Sequence, residues 1–362
     1  MAKVRMKDIA EKIGVSTVTV SKALSGQRGM SEEMRAKIIK TAAEMGYLPG
    51  KRDRSRIPYK ILILTSERFV DRQDSFYSHL LQLIIDEATA MECFTVTEVI
   101  TTEMEQKCIP PVSLRKKDYV DGVIVLGFLE DHYLGCLQDD SVVPSVFLDF
   151  TTHSKLCDCV ISDSFYGSCQ LTDYLFRKGH RKIAFVGTVL STGSITERYL
   201  GYLKSMMEHH VEVPKEWVIP DRDIESGLVD PEKFFTLPDD MPTAFVCNSD
   251  LTAAHLSRKL AALGFRCPED VSITGFDNFV YPGIIEGQFT TYEVDTKAMA
   301  RKAVHNLVHK LNGEYYRRGI IVVTGRLVEY GSVRSPKDSM DISERRERIS
   351  AKTKQRKCLP NG

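Results

Sequence analysis

The sequence lacks the features that mark several large classes of protein. It contains no run of eighteen apolar residues, which argues against a membrane span. Its first residues, MAKVRMKD, lack the apolar core of a signal peptide. No internal repeat is evident, and the motifs GxGxxG, HExxH, GxSxG and GxxxxGK followed by Ser or Thr are missing. We therefore expect a cytoplasmic protein that is not an enzyme and that needs no cofactor.

Two residue types that often carry chemistry also give weak signals here. The nine cysteines are scattered, and most lie in apolar contexts that indicate buried thiols. Cys157, Cys159 and Cys169 suggest a metal or redox site, but a second close pair and a nearby histidine are missing, so buried thiols are preferred. His180 lies in a predicted helix-to-strand turn, and we interpret it as a turn or capping residue rather than a general base.

Residues 6–24, MKDIAEKIGVSTVTVSKAL, predict two short helices joined by a tight turn. Apolar residues recur in the first helix at three- and four-residue spacing: Ile9, Ala10 and Ile13. Gly14 provides a residue that ends a helix with positive φ. Ser16 is suited to cap the second helix through a backbone N–H near the start of that helix.

The second helix is predicted to present small polar and basic side chains to solvent. Its inward stripe consists of Val20, Ala23 and Leu24. The outward face near the amino end suits the DNA major groove, with Lys22 toward guanine acceptors and Thr17 and Val18 toward thymine methyls. The other DNA-binding candidates are Ser16, Thr19, Ser21 and Arg56. The alternative is a helical hairpin that binds nothing, but turn, cap and polar face together favour DNA binding.

A third helix completes a unit of about fifty residues. Its apolar residues at helical spacing are Met34, Ile38, Ala42 and Met45. Ser31 is suited to cap it, Glu32 and Glu33 place negative charge on its first turn, and Gly46 closes it.

These motifs resemble the amino-terminal region of the lactose-repressor/galactose-repressor (LacI/GalR) family of bacterial transcription regulators. The matching residues are Lys7-Asp8-Ile9-Ala10, Gly14-Val15-Ser16, Thr19-Val20-Ser21-Lys22-Ala23-Leu24 and Gly46-Tyr47-Leu48-Pro49. The resemblance continues to about residue 333. It implies a homodimer that binds a palindromic operator in double-stranded DNA, associates with the bacterial nucleoid, and responds to a small molecule, a sugar or a derivative.

Charge supports a DNA-binding head. Residues 1–60 carry 14 Lys and Arg against 6 Asp and Glu, a net charge of +8, whereas the whole chain is neutral. Because phosphate contacts dominate affinity for nucleic acid, this asymmetry matters more than the neutral total. The polar, basic linker at 50–59 is short and has no Ala-Arg-x-Leu run, so we expect it to attract phosphates rather than insert into the minor groove.

From Lys60 onward, apolar strands alternate with helical patterns, which predicts parallel sheets covered on both faces. The strand segments are KILILT, TVTEVI, GVIVLG, VPSVFLDF, KIAFVG, TAFVCN and VSITGF. The predicted helices cover residues 76–91, 165–178, 196–209, 250–263 and 295–312.

The resemblance implies a helix-turn-helix DNA-binding domain at 1–49, followed by an α/β periplasmic-binding-protein-like core of two doubly wound parallel-sheet subdomains. In that fold the chain crosses between lobes three times, here expected near residues 161, 290 and 323. The predicted core covers 60–333, with lobe 1 at about 60–161 and 291–322 and lobe 2 at about 162–290 and 323–333. Residues 334–362 are charged, with seven basic and two acidic side chains at 343–357, and we expect a disordered tail.

Open α/β sheets bind ligands beyond the carboxyl ends of their strands. The family's effector contacts match Arg198, Asn248 and Asp277 most closely, and Asp149 and the pair Phe76 and Tyr77 less closely. Carboxylate, amide and guanidinium groups suit sugar hydroxyls. The alternatives stay open: Asp277 as a turn cap, Asp250 as a helix cap, and both aromatic residues as core. At the family's usual aromatic position after strand 218–219 stands Ile224.

The sequence therefore predicts a ligand-responsive DNA-binding repressor without a metal site. One rival is a regulator whose core binds a protein corepressor or has lost effector binding. A second rival is a cytosolic enzyme with an accessory head, which the missing catalytic motifs disfavour.

Overall fold

The structure is a computed structural model that describes residues 6–24, 30–45, 58–70, 75–115, 119–140, 143–152, 158–224, 227, 229–281, 288–314, 316 and 318–336. The predictions for Gly46, Arg56, Cys157, the linker before residue 58 and the tail after residue 336 lie outside the described residues. No described helix is long and apolar enough to cross a membrane.

The amino-terminal head consists of three helices, α1 (Met6–Ile13), α2 (Thr17–Leu24) and α3 (Glu32–Glu44). Their shared core contains Ile9, Ala10, Val20, Ala23, Ile38 and Ala42. Gly14 has a φ of +79°, as expected for the turn. The predicted caps are confirmed, because Ser16 Oγ accepts from the Thr19 N–H at 3.0 Å and Ser31 Oγ accepts from the Met34 N–H at 3.2 Å.

A parallel sheet follows the head. The elements in chain order are β1 (Lys60–Ser66), α4 (Glu67–Val70), α5 (Phe76–Ala90), β2 (Phe94–Ile100), α6 (Thr102–Gln106), β3 (Gly122–Leu126), α7 (Asp131–Asp140), β4 (Ser145–Leu148) and β5 (Cys159–Ser162). β1 pairs in parallel with β2 and β3, β3 with β4, and β4 with β5. Every residue of β3 is buried, which fits the parallel arrangement predicted from its continuous apolar run.

A second parallel sheet is formed later in the chain. Its elements are α8 (Ser164–Arg177), β6 (Ile183–Val186), α9 (Gly193–Glu208), β7 (Val218–Ile219), α10 (Pro231–Phe234), β8 (Ala244–Cys247), α11 (Asp250–Ala262) and β9 (Ser272–Thr274). The strand order is β7-β6-β8-β9, and each neighbouring pair is parallel. β6 and β8 are buried throughout, so this sheet also lies in the interior.

The last elements extend the first sheet and form a separate two-stranded sheet. They are β10 (Thr291–Glu293), α12 (Thr296–Leu311), β11 (Ile320–Val323) and β12 (Arg326–Val328). β11 lies at the edge of the first sheet beside β5, and β10 pairs antiparallel with β12.

The chain divides into two compact units. The first comprises residues 1–67, 80–160 and 297–321, and the second comprises 68–79, 161–296 and 322–362. The chain therefore changes unit after residues 67, 79, 160, 296 and 321, and the changes after 160 and 321 fall within β5 and β11.

Two details of the helix and cysteine predictions were wrong. Ser249, not Asp250, caps α11, because Ser249 Oγ accepts from the Thr252 N–H and Asp250 is the first helical residue. Cys108 and Cys136, expected to be thiols, form a disulfide across 28 residues. Sequence spacing does not reveal such a partnership, since it depends on the tertiary fold. Cys93, Cys159, Cys169 and Cys247 are buried thiols, as expected.

Candidate functional site

Asp221 is the most enclosed charged residue of the candidate site. It follows the short strand β7 and is fully buried. Its Oδ1 accepts from the Thr188 N–H at 2.9 Å, and its Oδ2 accepts from Thr252 Oγ1 at 2.7 Å. Arg222 donates to the same carboxylate from Nε and from Nη2, the latter at 2.7 Å. Burial favours the neutral acid, but Arg222 and the other donors outweigh it and lower the pKa of Asp221 to about 2.

Asn248, at the end of β8, connects Asp221 to the rest of the cluster. Its Nδ2 donates to Asp221 Oδ2 at 2.7 Å and to the Val186 carbonyl at 3.0 Å. Its Oδ1 accepts from Arg222 Nη2 at 3.0 Å. Both the NH₂ group and the oxygen of the Asn248 side chain therefore have hydrogen-bond partners inside the second unit, and the oxygen orients the Arg222 guanidinium.

Arg198 contacts the backbone of Asn248 rather than its side chain. It projects from α9, whose first turn Thr192 caps by accepting from the Ile195 N–H. The guanidinium is buried and donates from Nη1 to the Asn248 carbonyl and from Nη2 to Asp277 Oδ1, the latter at 3.0 Å. Its Cζ lies 3.8 Å from the centre of the Phe276 ring, within cation–π range.

Asp277 and Asp250 place two buried carboxyls in the same region. Asp277 follows β9 with a φ of +99°, in the left-handed region. Asp250 Oδ2 accepts from the Phe279 N–H at 2.9 Å, whereas its buried Oδ1 has no hydrogen-bond partner among the described residues. Burial raises the pKa of both carboxyls, and for Asp277 the nearby Arg198 opposes that shift.

The absence of a side chain at Gly275 makes room for the Asp250 carboxyl. A Cβ at this position would lie 1.9 Å from Asp250 Oδ1, which is too close for any side chain. The glycine before Phe276 is therefore required by the approach of a carboxylate, a role that the strand pattern of VSITGF does not disclose.

Aromatic rings extend the cluster within the second unit. Phe76, at the start of α5, is buried and meets Phe279 edge to face at 6.3 Å. Phe279 in turn contacts Tyr281, with ring centres 4.8 Å apart. Burial and the nearby Asp277 raise the pKa of the Tyr281 hydroxyl, so it stays protonated and can donate. Tyr77 stacks obliquely on Phe69 at 4.3 Å.

Asp149 and Ile224 are the last two positions that the sequence analysis compared with the family's effector contacts. Asp149 follows β4 with a φ of +69° and is buried in the first unit. The role of Asp149 stays a prediction. Ile224 is 61% exposed and provides no aromatic face.

The structure thus brings together Arg198, Asn248 and Asp277 from three separate elements. Sequence reasoning missed Asp221 and Arg222, which follow a strand of two residues, too short to show periodicity. The signal that was available is their order, an acid and a base that follow the strand residues VI after a single proline.

The predicted helix-to-strand position of His180 is confirmed, and its role is structural. The ring is buried, with Nδ1 2.9 Å from Thr243 Oγ1 and Nε2 2.9 Å from the Arg334 carbonyl. Burial lowers the pKa of His180 to about 4, which the contact with Arg334 opposes only partly.

The head presents a separate polar surface on α2. Val18 is 60% exposed, and Thr17, Ser21 and Lys22 are also exposed, whereas Val20 is buried. Ser16 and Thr19 hydroxyls lie 2.8 Å apart, so these two side chains also stabilise the start of the helix. The outward face is therefore the one predicted to meet DNA.

Two family models match the chain. A model of bacterial regulatory proteins of the lacI family matches residues 5–50, and a model of a periplasmic binding protein-like domain matches residues 172–333. The HTH-type transcriptional repressor PurR of Pectobacterium atrosepticum is 26% identical over 336 residues, which cover 91% of this chain and 96% of the relative. PurR of Vibrio vulnificus is 24% identical, with 91% and 98% coverage.

Solved structures show the same fold. A complex of the transcriptional regulator CelR with cellobiose has a TM-score of 0.64 at 22% identity, and covers 91% of this chain and 99% of that one. The lac repressor dimer bound to operator and the anti-inducer ONPF has a TM-score of 0.62 at 20% identity, with 92% and 100% coverage.

A helix-turn-helix head joined to a core of parallel sheets defines a two-part DNA-binding regulator. The chain belongs to the LacI family of bacterial regulatory proteins. It is a DNA-binding transcriptional repressor of that family, with a periplasmic-binding-protein-like core.

Proposed function

We propose that this repressor is a homodimer that binds a palindromic operator through α2 of each head. Its affinity for the operator decreases or increases when a polyhydroxylated small molecule, a sugar or a derivative, binds the core. The proposed DNA-reading side chains are Thr17, Val18 and Lys22, supported by Ser16, Thr19, Ser21 and Arg56. The protein acts on nucleoid DNA in the bacterial cytoplasm. The proposal includes the domain limits predicted from the sequence: a DNA-binding domain at 1–49, a linker at 50–59, a core at 60–333 and a tail at 334–362.

The observation that carries the effector proposal is the cluster formed by Arg222 and the buried residues Arg198, Asp221, Asn248 and Asp277. Guanidinium groups donate only and carboxylates accept only, so their alternation suits ligand hydroxyls, which do both. The cluster lies beyond the carboxyl ends of β8 and β9, where parallel sheets bind ligands.

Aromatic surface supports a sugar ring in particular. The apolar face of a sugar packs against aromatic rings, and Phe76, Phe279 and Tyr281 form a continuous series of ring contacts. Cellobiose in the CelR structure shows that this fold accepts a sugar in one relative of the same architecture. Tyr77 and Asp149 are the remaining proposed contacts.

Ligand binding by the purified core tests this assignment. We expect Arg198→Ala and Asp277→Ala to abolish heat release in calorimetry with the member of a sugar panel that binds the wild type. The matched control is Arg266→Ala, which removes an exposed arginine paired with Asp270 in the same unit. Unaltered binding by Arg198→Ala and Asp277→Ala would refute this site, and binding of no sugar would favour a protein corepressor or lost effector binding.

A further inference from the structure

Three side chains with metal-binding donors converge in the first unit, apart from the effector cluster. Cys108 lies in the turn after α6, and His132 and Cys136 lie one turn apart on α7. Residues four apart on a helix share one face. One donor atom of each residue lies within 4.8 Å of the other two, and the Cys108 Sγ is 3.2 Å from His132 Nε2.

The disulfide between Cys108 and Cys136 explains why the two sulfur atoms are close together, but it does not explain the position of His132 beside them. A disulfide needs no imidazole, yet the exposed His132 directs Nε2 at the sulfur rather than at solvent. Two thiolates and one imidazole form the donor set that selects Zn²⁺. Because Zn–S is about 2.3 Å and Zn–N about 2.0 Å, tetrahedral ligands lie roughly 3.5–3.8 Å apart, within the observed limit.

A rigid contact fixes the two segments that carry the donors. Tyr133, next to His132, is fully buried and donates its hydroxyl to the Ile109 carbonyl at 2.9 Å. Ile109 is next to Cys108. The sulfur and the imidazole are therefore held together by a hydrogen bond between their immediate neighbours, which limits the reorganisation needed to bind a metal.

A second cluster of potential metal ligands is unsuitable for a metal ion. Cys169, Asp173 and Glu208 also lie close together. Lys204, however, places its Nζ 2.6 Å from Glu208 Oε1 and 3.9 Å from Cys169 Sγ. A cation of the protein already neutralises that cluster, whereas Cys108, His132 and Cys136 have no lysine or arginine within hydrogen-bond distance among the contacts described.

We propose that Cys108, His132 and Cys136 form a Zn²⁺ site when the disulfide is reduced. A dithiol reductant supplies two electrons and two protons to the disulfide and becomes a disulfide itself. Each thiol then releases its proton as it binds the metal. The three protein ligands leave a fourth position open to water. A small-molecule disulfide closes the site by accepting the two electrons of the thiolates and becoming two thiolates itself, while the bond between Cys108 and Cys136 re-forms and the metal is released.

Titration with Co²⁺, a spectroscopic substitute for Zn²⁺, tests the proposal. The full chain is reduced with a dithiol, freed of reductant without oxygen, and titrated. We expect one equivalent that gives thiolate charge-transfer and tetrahedral d–d bands and that Zn²⁺ displaces. The oxidised protein and the Cys108→Ser/Cys136→Ser double variant should lack these bands.

Two single variants separate a ligand role from a structural one. His132→Ala, at an exposed helical position that tolerates alanine, should weaken Co²⁺ binding at least about tenfold and shift the d–d bands. Cys267→Ser, which removes a thiol elsewhere and can keep its hydrogen bond to the Ser332 carbonyl, should bind like the wild type. Absence of charge-transfer bands in the reduced wild type, or wild-type binding by His132→Ala, would overturn the proposal.

Discussion

At the scale of single residues, Asp221 shows how a buried charge becomes tolerable. Desolvating a carboxylate costs several kcal/mol, and the attraction to a partner offsets this only if the geometry satisfies every lone pair. Here Arg222, Asn248, Thr252 and the Thr188 N–H all donate to it. The carboxylate in turn holds Arg222 in the cluster.

Asp221→Asn should therefore destabilise the protein by about 3–5 kcal/mol, because it leaves the Arg222 guanidinium, only 16% exposed, without its carboxylate partner. Urea unfolding at neutral pH measures the loss. The control Asp240→Asn removes an acid whose side chain is 53% exposed and pairs with Lys182, so its effect should stay below about 1 kcal/mol. Equal effects of the two substitutions would contradict this account of Asp221.

His180 predicts a pH dependence of stability. Burial lowers its pKa to about 4 in the folded protein from the ordinary histidine value of about 6.5, so the unfolded chain binds more protons between these limits. Stability should thus fall as pH decreases from about 6.5 to 4, by about 3 kcal/mol from this residue. His180→Gln should be less stable at pH 7 yet show a shallower decline, measured by urea unfolding at several pH values. If the free energy of unfolding of His180→Gln declined as steeply with decreasing pH as that of the wild type, His180 would not be the cause of the pH dependence.

At residue scale, strand ends and family resemblance singled out Arg198, Asn248 and Asp277, which the structure brings into contact. Sequence reasoning missed Arg222 because the residue's importance comes from the burial of its neighbour Asp221 and from the contact with Asn248, and both arise only when the chain folds. Gly275 was missed for the same reason, since its constraint comes from Asp250 of another element.

At the scale of elements, α2 divides cleanly into an inward and an outward face. Val20 and Ala23 are buried with α1 and α3, and Lys22 and Val18 point away from that core. A helix of eight residues is marginal alone, so its position depends on this packing and on the Ser16 cap.

Lys22→Ala should weaken operator binding by about 1–3 kcal/mol and relax base preference at one position in each half-site. The reason is that lysine donates to guanine acceptors in the major groove. Selection of bound sequences from a random DNA pool, followed by affinity measurement, gives both quantities. Lys12→Ala, an exposed lysine on α1, is the control and should leave base preference unchanged. Unchanged preference in Lys22→Ala would exclude base reading by this residue.

Long apolar runs made the parallel strands predictable, because a strand buried on both faces needs apolar residues throughout. Short strands such as β7 and β12 carry too few residues to show a pattern. The disulfide joins α7 to the turn after α6, a contact set by packing rather than by spacing.

At the scale of the whole molecule, a basic amino-terminal segment precedes an acidic remainder. The first 60 residues have a net charge of +8 in a neutral chain. Phosphate attraction is thereby concentrated at the head, and operator affinity should depend steeply on salt. The buried cluster of the second unit belongs to a different part of the chain, so any effect of its ligand on DNA binding is a coupling between distinct sites.

The most direct test of the central claim is operator affinity with and without ligand, measured by fluorescence anisotropy at fixed salt on the selected DNA. The account predicts that the sugar bound in calorimetry changes the Kd for operator by at least about fivefold, and that Arg198→Ala binds the same operator without responding. An operator Kd that is unchanged by that bound sugar, or a full response in Arg198→Ala, would contradict it.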